Sequence, residues 1–450
     1  MISSHSDSAV KSGVKQALLE KLRSTIVPQM ERLVESLPEQ LVDFGQAETM
    51  LRTGILKIAR GLLEAWGQVA DSAIERPCCP SCGVPMRHRG RCQVGLVTSL
   101  GDVAYRRPRW RCEGCGEERY PHDDLLRFPG HNVSWPLARL CGRLGAQLPS
   151  FDEATGNLAE DYGVRLAKET LRRIAEEAGN RIIEQEDALR RRLMDLEQPL
   201  PESERKPAKA YVFADGTTVH SDGDWHEVRV MTVVAADAEG RTLQRRSLAR
   251  FFGVDEVAWT LTMLARSVGY ANVADPSQRA FIADGAAWLW KLQESYFGSA
   301  VAILDWYHLE EHVHKAANAV FGLGSALAKA TAKQLKEDLW EGRVVDAIAR
   351  TRQELAKVRS PSKRDAWHEL LTYLENNQKH MDYPRYRALN LPIGSGQVEA
   401  QCKTLVGGRC KQAGMRDWTY AGAEGTLRMR AARQDGSFDD LWNARLRLAA

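Results

Sequence analysis

Apolar positions recur along this chain with two periods, and the switches between them divide it. Over residues 9–74 they fall three and four apart, as in "VKQALLEKLRSTIVPQMERLVESL" and "AETMLRTGILKIARGLLEAWGQVADSAI", the spacing of one helix face. Two helices are predicted, with Pro28 breaking or kinking the first because proline has no N–H to donate. From 76 to 121 the pattern becomes short alternating runs rich in Gly, Pro, Cys and Arg. Helical spacing returns over 134–185, and "SERKPAK" (203–209) reads as a linker. Three strand-like runs follow: "AYVFADGTTV", "HEVRVMTVVAAD" and "TLQRRSLARFF". A helical run covers 254–268. "RAFIADG" and "AVAILDW" are short apolar runs, each a buried strand ending in an aspartate. Residues 309–385 are helical, and helices close the chain after Gly396. The predicted organisation is a helical region (1–74), a cysteine-containing β region (75–125), a second helical region (130–200) and an α/β domain (208–450) with an all-helical insertion at about 309–390.

The chain of 450 residues carries a net charge of only +3, so affinity for a polyanion must come from local patches. No run of about 18 apolar residues marks a membrane span, and "MISSHSDSAVKSG" lacks the basic-then-apolar order of a signal peptide. Nine cysteines without an export signal point to a reducing, cytoplasmic setting, where thiols bind metal more often than they form disulfides.

Four of those cysteines form two C-x-x-C pairs, Cys79/Cys82 and Cys112/Cys115, each followed by glycine. Such pairs turn two sulfurs onto one ion, and four thiolates make a closed, structural zinc site. The 29 residues between the pairs include "VTSLGDVAYRRPRWR", enough for a β hairpin, so a zinc ribbon is predicted. Cys78 and Cys92 are spare and either can replace an assigned ligand. From Arg76 to Arg119 there are nine arginines, no lysine and four acids. Arg106, Arg107, Arg109 and Arg111 bracket Trp110, and arginine forks suit phosphates and guanine edges; the alternative is a solvated basic strand face.

"FDEATGNLAEDYGVRLAKETLRRIAEEAG" (151–179) reads as helix, turn at Gly163, helix, with Arg172 and Arg173 presented by the second helix. That order suits a DNA-reading unit, although a glycine turn between two amphipathic helices also occurs in ordinary helical domains.

Asp215 and Asp284 each follow an apolar run and precede glycine, a common turn signal. The order strand, strand, strand, helix, strand is that of the ribonuclease H-like fold, which sets the first and fourth strands side by side and parallel, so that these aspartates become neighbours. Two close carboxylates repel unless a cation lies between them, and oxygen ligands suit Mg²⁺ or Mn²⁺. A third carboxylate completes a two-metal site. Glu399 in "IGSGQVEAQC" is the candidate, on a helix that Ser395 can cap. Asp305 competes with Asp284, being also an acid at a strand end. His308 and His312, four apart on the next helix, are a possible metal pair, but Asp305 and His308 fit better as supports of the carboxylate site. Lys403, Arg409, Lys411 and Arg416, then Arg428, Arg430 and Arg433, fit a phosphate track, and Trp418 and Tyr420 either stack on a frayed base or pack a core.

With "FADGT", "WHEVRV", "IADGA", "LDWYHL" and "GSGQVEA" in this order behind a double-knuckle ribbon, the chain over about 75–435 resembles the DDE transposases of bacterial insertion sequences, most closely the ISKra group, with mutator-type enzymes as wider relatives. The resemblance implies Asp215, Asp284 and Glu399 as ligands of the catalytic metal pair, Asp305-x-x-His308 as the element accompanying the second aspartate, and cleavage of transposon ends followed by strand transfer into target DNA. It further implies double-stranded DNA as partner, a homo-oligomer assembled on that DNA, and a nucleoid-associated location. Two other readings stay open: a non-catalytic DNA-binding protein, and a structure-specific nuclease without strand transfer.

Overall fold

The computed structural model describes residues 15–16, 19–20, 22–39, 43–69, 76–195, 203–251, 253–415 and 417–448. Part of the N-terminal helical prediction, and Arg416, lie outside them. Two compact units result: Met1–Ala178 with Asp439–Ala450, and Gly179–Phe438.

In the first unit a π-type turn, Leu22–Ile26, leads into α1 (Val27–Glu35). Pro28 lies in the first turn of α1, directly after the π-type turn, so the helical run changes its hydrogen-bond pattern at the proline, as its missing N–H requires. After α2 (Phe44–Val69) come β1 (Arg87–Thr98), β2 (Gly101–Arg111) and β3 (Glu118–Arg119), an antiparallel three-stranded sheet. The short α3 (Pro121–Leu126) precedes α4 (Trp135–Gln147), α5 (Phe151–Tyr162) and α6 (Lys168–Asp195). Ser134 and Ser150 cap α4 and α5 by accepting from Leu137 N and Glu153 N, satisfying donors that a helix start leaves free. Gly163 ends α5 in the left-handed conformation, φ 66°. Leu137, Cys141, Leu158, Leu171 and Ile174 form a fully buried core.

Helix α6 crosses from one unit to the other, so the boundary falls inside a helix and not at 203–209. The sequence has no breaker there, and the later turns of α6 pack within the second unit. A Cβ on Gly179 would lie 1.9 Å from the carbonyl oxygen of Gly425, so this helix crossing admits only glycine. Beyond it, Glu186 pairs with buried Arg428, and Asp187 with buried Arg250.

The second unit is built on β4 (Lys209–Ser221), β5 (Asp224–Ala236), β6 (Thr242–Arg250), β7 (Arg279–Ala283) and β8 (Val301–Leu304), ordered β6-β5-β4-β7-β8. The first three are antiparallel; β4, β7 and β8 are parallel. The first and fourth strands are therefore neighbours, as the element order predicts. Helices α7 (Val254–Ser267) and α8 (Ala287–Tyr296) precede and follow β7. Val212, Phe213, Val230, Phe281, Ile282 and Ile303 have no exposed surface; strands covered on both faces read as continuous apolar runs.

The insertion comprises α9 (Trp306–Phe321), α10 (Ala326–Trp340), α11 (Val344–Lys357), α12 (Pro361–Asn377) and α13 (Tyr383–Ala388). Buried Trp367 donates to Thr351 O at 2.7 Å, while Tyr383 and Tyr386 donate to the carbonyls of Leu304 and Ala302 at 3.0 and 3.1 Å, fastening the insertion to β8. The unit closes with α14 (Gly396–Gln401), a π-type turn Cys402–Gly407, α15 (Gly408–Cys410) and α16 (Tyr420–Gln434). α17 (Phe438–Leu448) carries Trp442 into the first unit beside Trp135 and Phe128. Among the described residues no helix is long and apolar enough to cross a membrane.

His380 is buried and stacked on Trp290, ring centroids 3.9 Å apart, and burial pushes its pKa down to about 4. Above pH 6.5 it is neutral in both folded and unfolded chains and contributes no pH dependence. As pH falls from 6.5 towards 4 the unfolded chain takes up a proton that the folded one refuses, so stability falls, by about 3 kcal/mol in total. Denaturant unfolding of the wild type and His380→Phe across this range is expected to show a loss in the wild type that the variant lacks.

Candidate active site

Five chemistry-bearing side chains converge at the carboxyl edge of the parallel strands. Phe213 pairs with Ile282 in the β4–β7 ladder, which sets Asp215 and Asp284 level, two residues further along each strand. Asp215 does not end its strand as the turn signal suggested. β4 continues to Ser221 and turns into β5 through Asp222 and Gly223, both at positive φ, so Asp215 stands mid-strand where the parallel partner has stopped. Asp284 does end β7. Gly285 adopts φ 103°, and a Cβ there would meet the Tyr373 ring at 2.9 Å, so the residue after this aspartate must be glycine.

Local hydrogen bonds aim both groups. Asp215 Oδ1 accepts from Gly216 N at 2.7 Å, and its Oδ2 faces Cys402 Sγ at 3.4 Å. Asp284 Oδ1 accepts from Ala286 N at 2.9 Å, and its carbonyl accepts from the Tyr373 hydroxyl at 2.7 Å. Burial raises the pKa of Asp215 above the usual carboxylate range, and the charge of Asp284 pushes the same way.

Asp305, fully buried, is the N-cap of α9. Its Oδ1 accepts from Tyr307 N at 2.7 Å and more weakly from His308 N at 3.4 Å. Its Oδ2 accepts from His308 Nδ1 and Ser395 N, each at 3.0 Å, and from the Ser395 hydroxyl. Burial alone would raise this carboxyl, but the bonds from His308 and Ser395 outweigh it and hold the group below the usual range. The same bond to Asp305 raises His308 to about 9, with the charges of Asp284 and Asp215 adding to it.

Ser395 occupies the N-cap position of α14 but makes no side-chain cap. Its hydroxyl lies between Asp305 and Glu399, 3.0 Å from Glu399 Oε1. Gly394 before it is tightly placed: a Cβ would sit 2.5 Å from the Tyr307 ring. At this edge the side chains whose ligand atoms all lie within 4.8 Å of one another are Asp305, His308 and Glu399. The expected Asp215, Asp284 and Glu399 occupy the same edge in a looser arrangement. His312 does not join His308, because its ring stacks on Tyr373 at 4.0 Å.

Cys402, Tyr373 and the role of Ser395 escaped the sequence reading. Cys402 had a readable signal, lying three positions after Glu399 and so on the same helix face; Tyr373 had none, since a hydroxyl reaching a carbonyl 89 positions away leaves no local pattern.

Several cations expected on the phosphate track are structural. Arg409 is only 1% exposed, its guanidinium over the Trp418 ring at 4.9 Å, so it is a core residue and not a DNA contact. Arg428 is buried against Glu186, and Arg430 donates to Thr404 O. Trp418 is buried, and Tyr420 packs on Phe251 at 4.3 Å while donating to Phe251 O. Lys403 and Lys411 are exposed, with Lys411 Nζ donating to Thr217 Oγ1 on β4, two residues from Asp215.

In the first unit the four cysteines meet. Cys79–Cys115, Cys82–Cys112 and Cys82–Cys115 sulfurs lie 3.5, 3.4 and 3.9 Å apart, close to the edge of about 3.8 Å that Zn–S bonds of 2.3 Å impose on a tetrahedron. Gly83 and Gly116 turn the knuckles at φ 70° and 79°. This cluster can hold a structural zinc; Cys78 and Cys92 stand outside it. Of the ribbon arginines, Arg107 pairs with Asp123 and Arg109 with Glu118, whereas Arg106 and Arg111 are exposed. Arg172 is held by Glu169 and Glu176, and Arg173 is exposed.

Metal analysis of the purified protein is expected to find about one zinc per chain, lost together with ribbon stability in Cys112→Ser/Cys115→Ser. Zinc retained by that variant would remove the assignment. Neither a protein-family model nor a curated protein sequence matches this chain.

Proposed function

We propose that this protein is a DDE-type DNA transposase that binds transposon ends and carries out metal-dependent strand cleavage and strand transfer, on a ribonuclease H-like domain preceded by a zinc ribbon and a helix-turn-helix-like region. The observation that carries the reading is the placing of Asp215 and Asp284 level on adjacent parallel strands, with Glu399 brought to the same edge by the helix after the insertion. Three carboxylates at one half-buried edge fit Mg²⁺ or Mn²⁺, since oxygen-rich sites suit hard cations and a cation offsets the burial, and the lesser repulsion from Asp284, that raise Asp215. Asp215, Asp284 and Glu399 would hold such ions, whose chemistry there would be activation of a water or 3′-hydroxyl and stabilisation of a leaving oxygen. The protein's own part is positioning. Gly216 N and Ala286 N orient the aspartates, Ser395 orients Glu399, and Tyr373 ties the insertion to the backbone of Asp284. Lys403 and Lys411 lie on the segment just after Glu399, where a phosphodiester at the site needs cations. The zinc is structural, holding the ribbon against duplex DNA, and the active form is a homo-oligomer on that DNA.

Asp215→Asn, Asp284→Asn and Glu399→Gln are each expected to reduce Mg²⁺-dependent cleavage of a labelled transposon end by orders of magnitude while end binding persists. Pre-cleaved ends should still be joined to target DNA by the wild type; cleavage without joining would make the protein a nuclease. Wild-type cleavage by Glu399→Gln would contradict the assignment, because loss of a helix-terminus charge alone costs only about 0.3–1 kcal/mol. For binding, Arg106→Ala/Arg111→Ala is expected to flatten the salt dependence by roughly one unit of slope per lost phosphate contact, and an unchanged slope would return the ribbon to a purely structural role.

A further inference from the structure

We infer that His308 is itself a ligand of the divalent ion at this edge, through Nε2, and that Asp305 is a positioning residue and not a ligand; the inference rests on the proposed Asp215, Asp284 and Glu399 metal site. The hydrogen bonds of Asp305 decide between it and its neighbour. An ionised carboxylate offers about four lone-pair directions. Asp305 receives two backbone N–H groups on Oδ1, and on Oδ2 the His308 ring, the Ser395 N–H and the Ser395 hydroxyl, with none of its surface exposed. No direction remains for an ion. His308 is the reverse case. Its Nδ1 is committed to Asp305 at 3.0 Å, so Nε2 is on the opposite side of the ring. The His308 side chain is 30% exposed, and the ring lies within the field of Asp215 and Asp284 and in ligand range of Glu399.

A carboxylate that holds one ring nitrogen and leaves the other with its lone pair unused, on a ring close to acidic groups, is the usual setting of a metal-bound histidine. The bond to Asp305 fixes the neutral ring as the Nδ1–H tautomer, so that Nε2 presents its lone pair; an arriving ion displaces any Nε2 proton to solvent. One nitrogen among carboxylates also changes selectivity. Mg²⁺ keeps to oxygen and water, while Mn²⁺ and other transition ions accept imidazole more readily. The site should therefore hold Mn²⁺ more tightly than Mg²⁺.

Pulsed electron paramagnetic resonance on the Mn²⁺-loaded full-length protein tests this without an activity assay. The expected spectrum carries modulation from one ¹⁴N nucleus, which changes to a ¹⁵N pattern when only histidine is ¹⁵N-labelled and disappears in His308→Gln. Labelling keeps the test open should that variant misfold. Asp305→Asn, which leaves His308 in place, is expected to weaken Mn²⁺ binding 10- to 100-fold, the usual range for the partner of a metal-bound histidine. Mn²⁺ bound by the wild type and weakened in Asp215→Asn and Glu399→Gln, but without nitrogen modulation, would overturn the role of His308 and leave the carboxylate site standing. Failure of the wild type to bind Mn²⁺ would overturn both.

Discussion

A fully buried carboxylate, Asp305, joins the parts of the second unit that must agree in position. A charge out of water costs several kcal/mol unless hydrogen bonds replace its hydration, and this one is met by five donors from three places: the first turn of α9, the ring of His308, and the loop at Ser395. β8 ends at Leu304, α9 begins at Trp306, and the loop that meets them lies 90 positions downstream, after the whole helical insertion. The bond from Trp306 N to Ile393 O, 2.9 Å, runs alongside. Because Ser395 and Glu399 share one turn, fixing Ser395 on Asp305 also fixes where Glu399 stands. The knot explains how a chain can insert five helices between its second and third carboxylates without losing their registry.

A second set of buried ions holds the other side of this unit. Arg250 bonds Asp187 and Glu424, and Arg428 bonds Glu186, joining α6, β6 and α16. Removing one partner of such a pair leaves an uncompensated buried charge, at a cost of about 3–5 kcal/mol. This is why arginines that look like a basic track in the sequence are structural here. Lys403 and Lys411 beside the carboxylates, and Arg106, Arg111 and Arg173 in the first unit, keep exposed side chains.

What could be read from the sequence follows from whether the signal is local. The C-x-x-C pairs announce their cluster because a knuckle is a single turn, and the strand-ending apolar runs announce β7 and β8 because burial on both faces leaves a continuous hydrophobic run. The adjacency of β4 and β7 follows from element order. Asp215 misled in detail, since an aspartate–glycine pair signals a turn, yet the ladder to β5 carries the strand six residues past it. Ser395 misled likewise, because its backbone at φ −85°, ψ 13° is not the extended conformation that turns a capping side chain onto the first N–H groups of a helix. Arg409 and Arg428 could not be sorted from surface cations, since their partners, Trp418 apart, are distant in sequence. The domain boundary was misplaced for the same reason, as the contact that draws α6 into the second unit is between Gly179 and Gly425, far apart in the chain.

We propose that Asp215, Asp284 and Glu399 together bind a divalent ion. Anomalous diffraction from crystals of the protein soaked in Mn²⁺ tests it most directly. The expected map carries a manganese peak at the carboxyl edge of β4 and β7, with oxygens of all three side chains at about 2.2 Å, a distance typical of carboxylate–metal bonds. A peak coordinated by Asp305 in place of Asp284, or no peak at this edge while the carboxylates remain ordered, would contradict it.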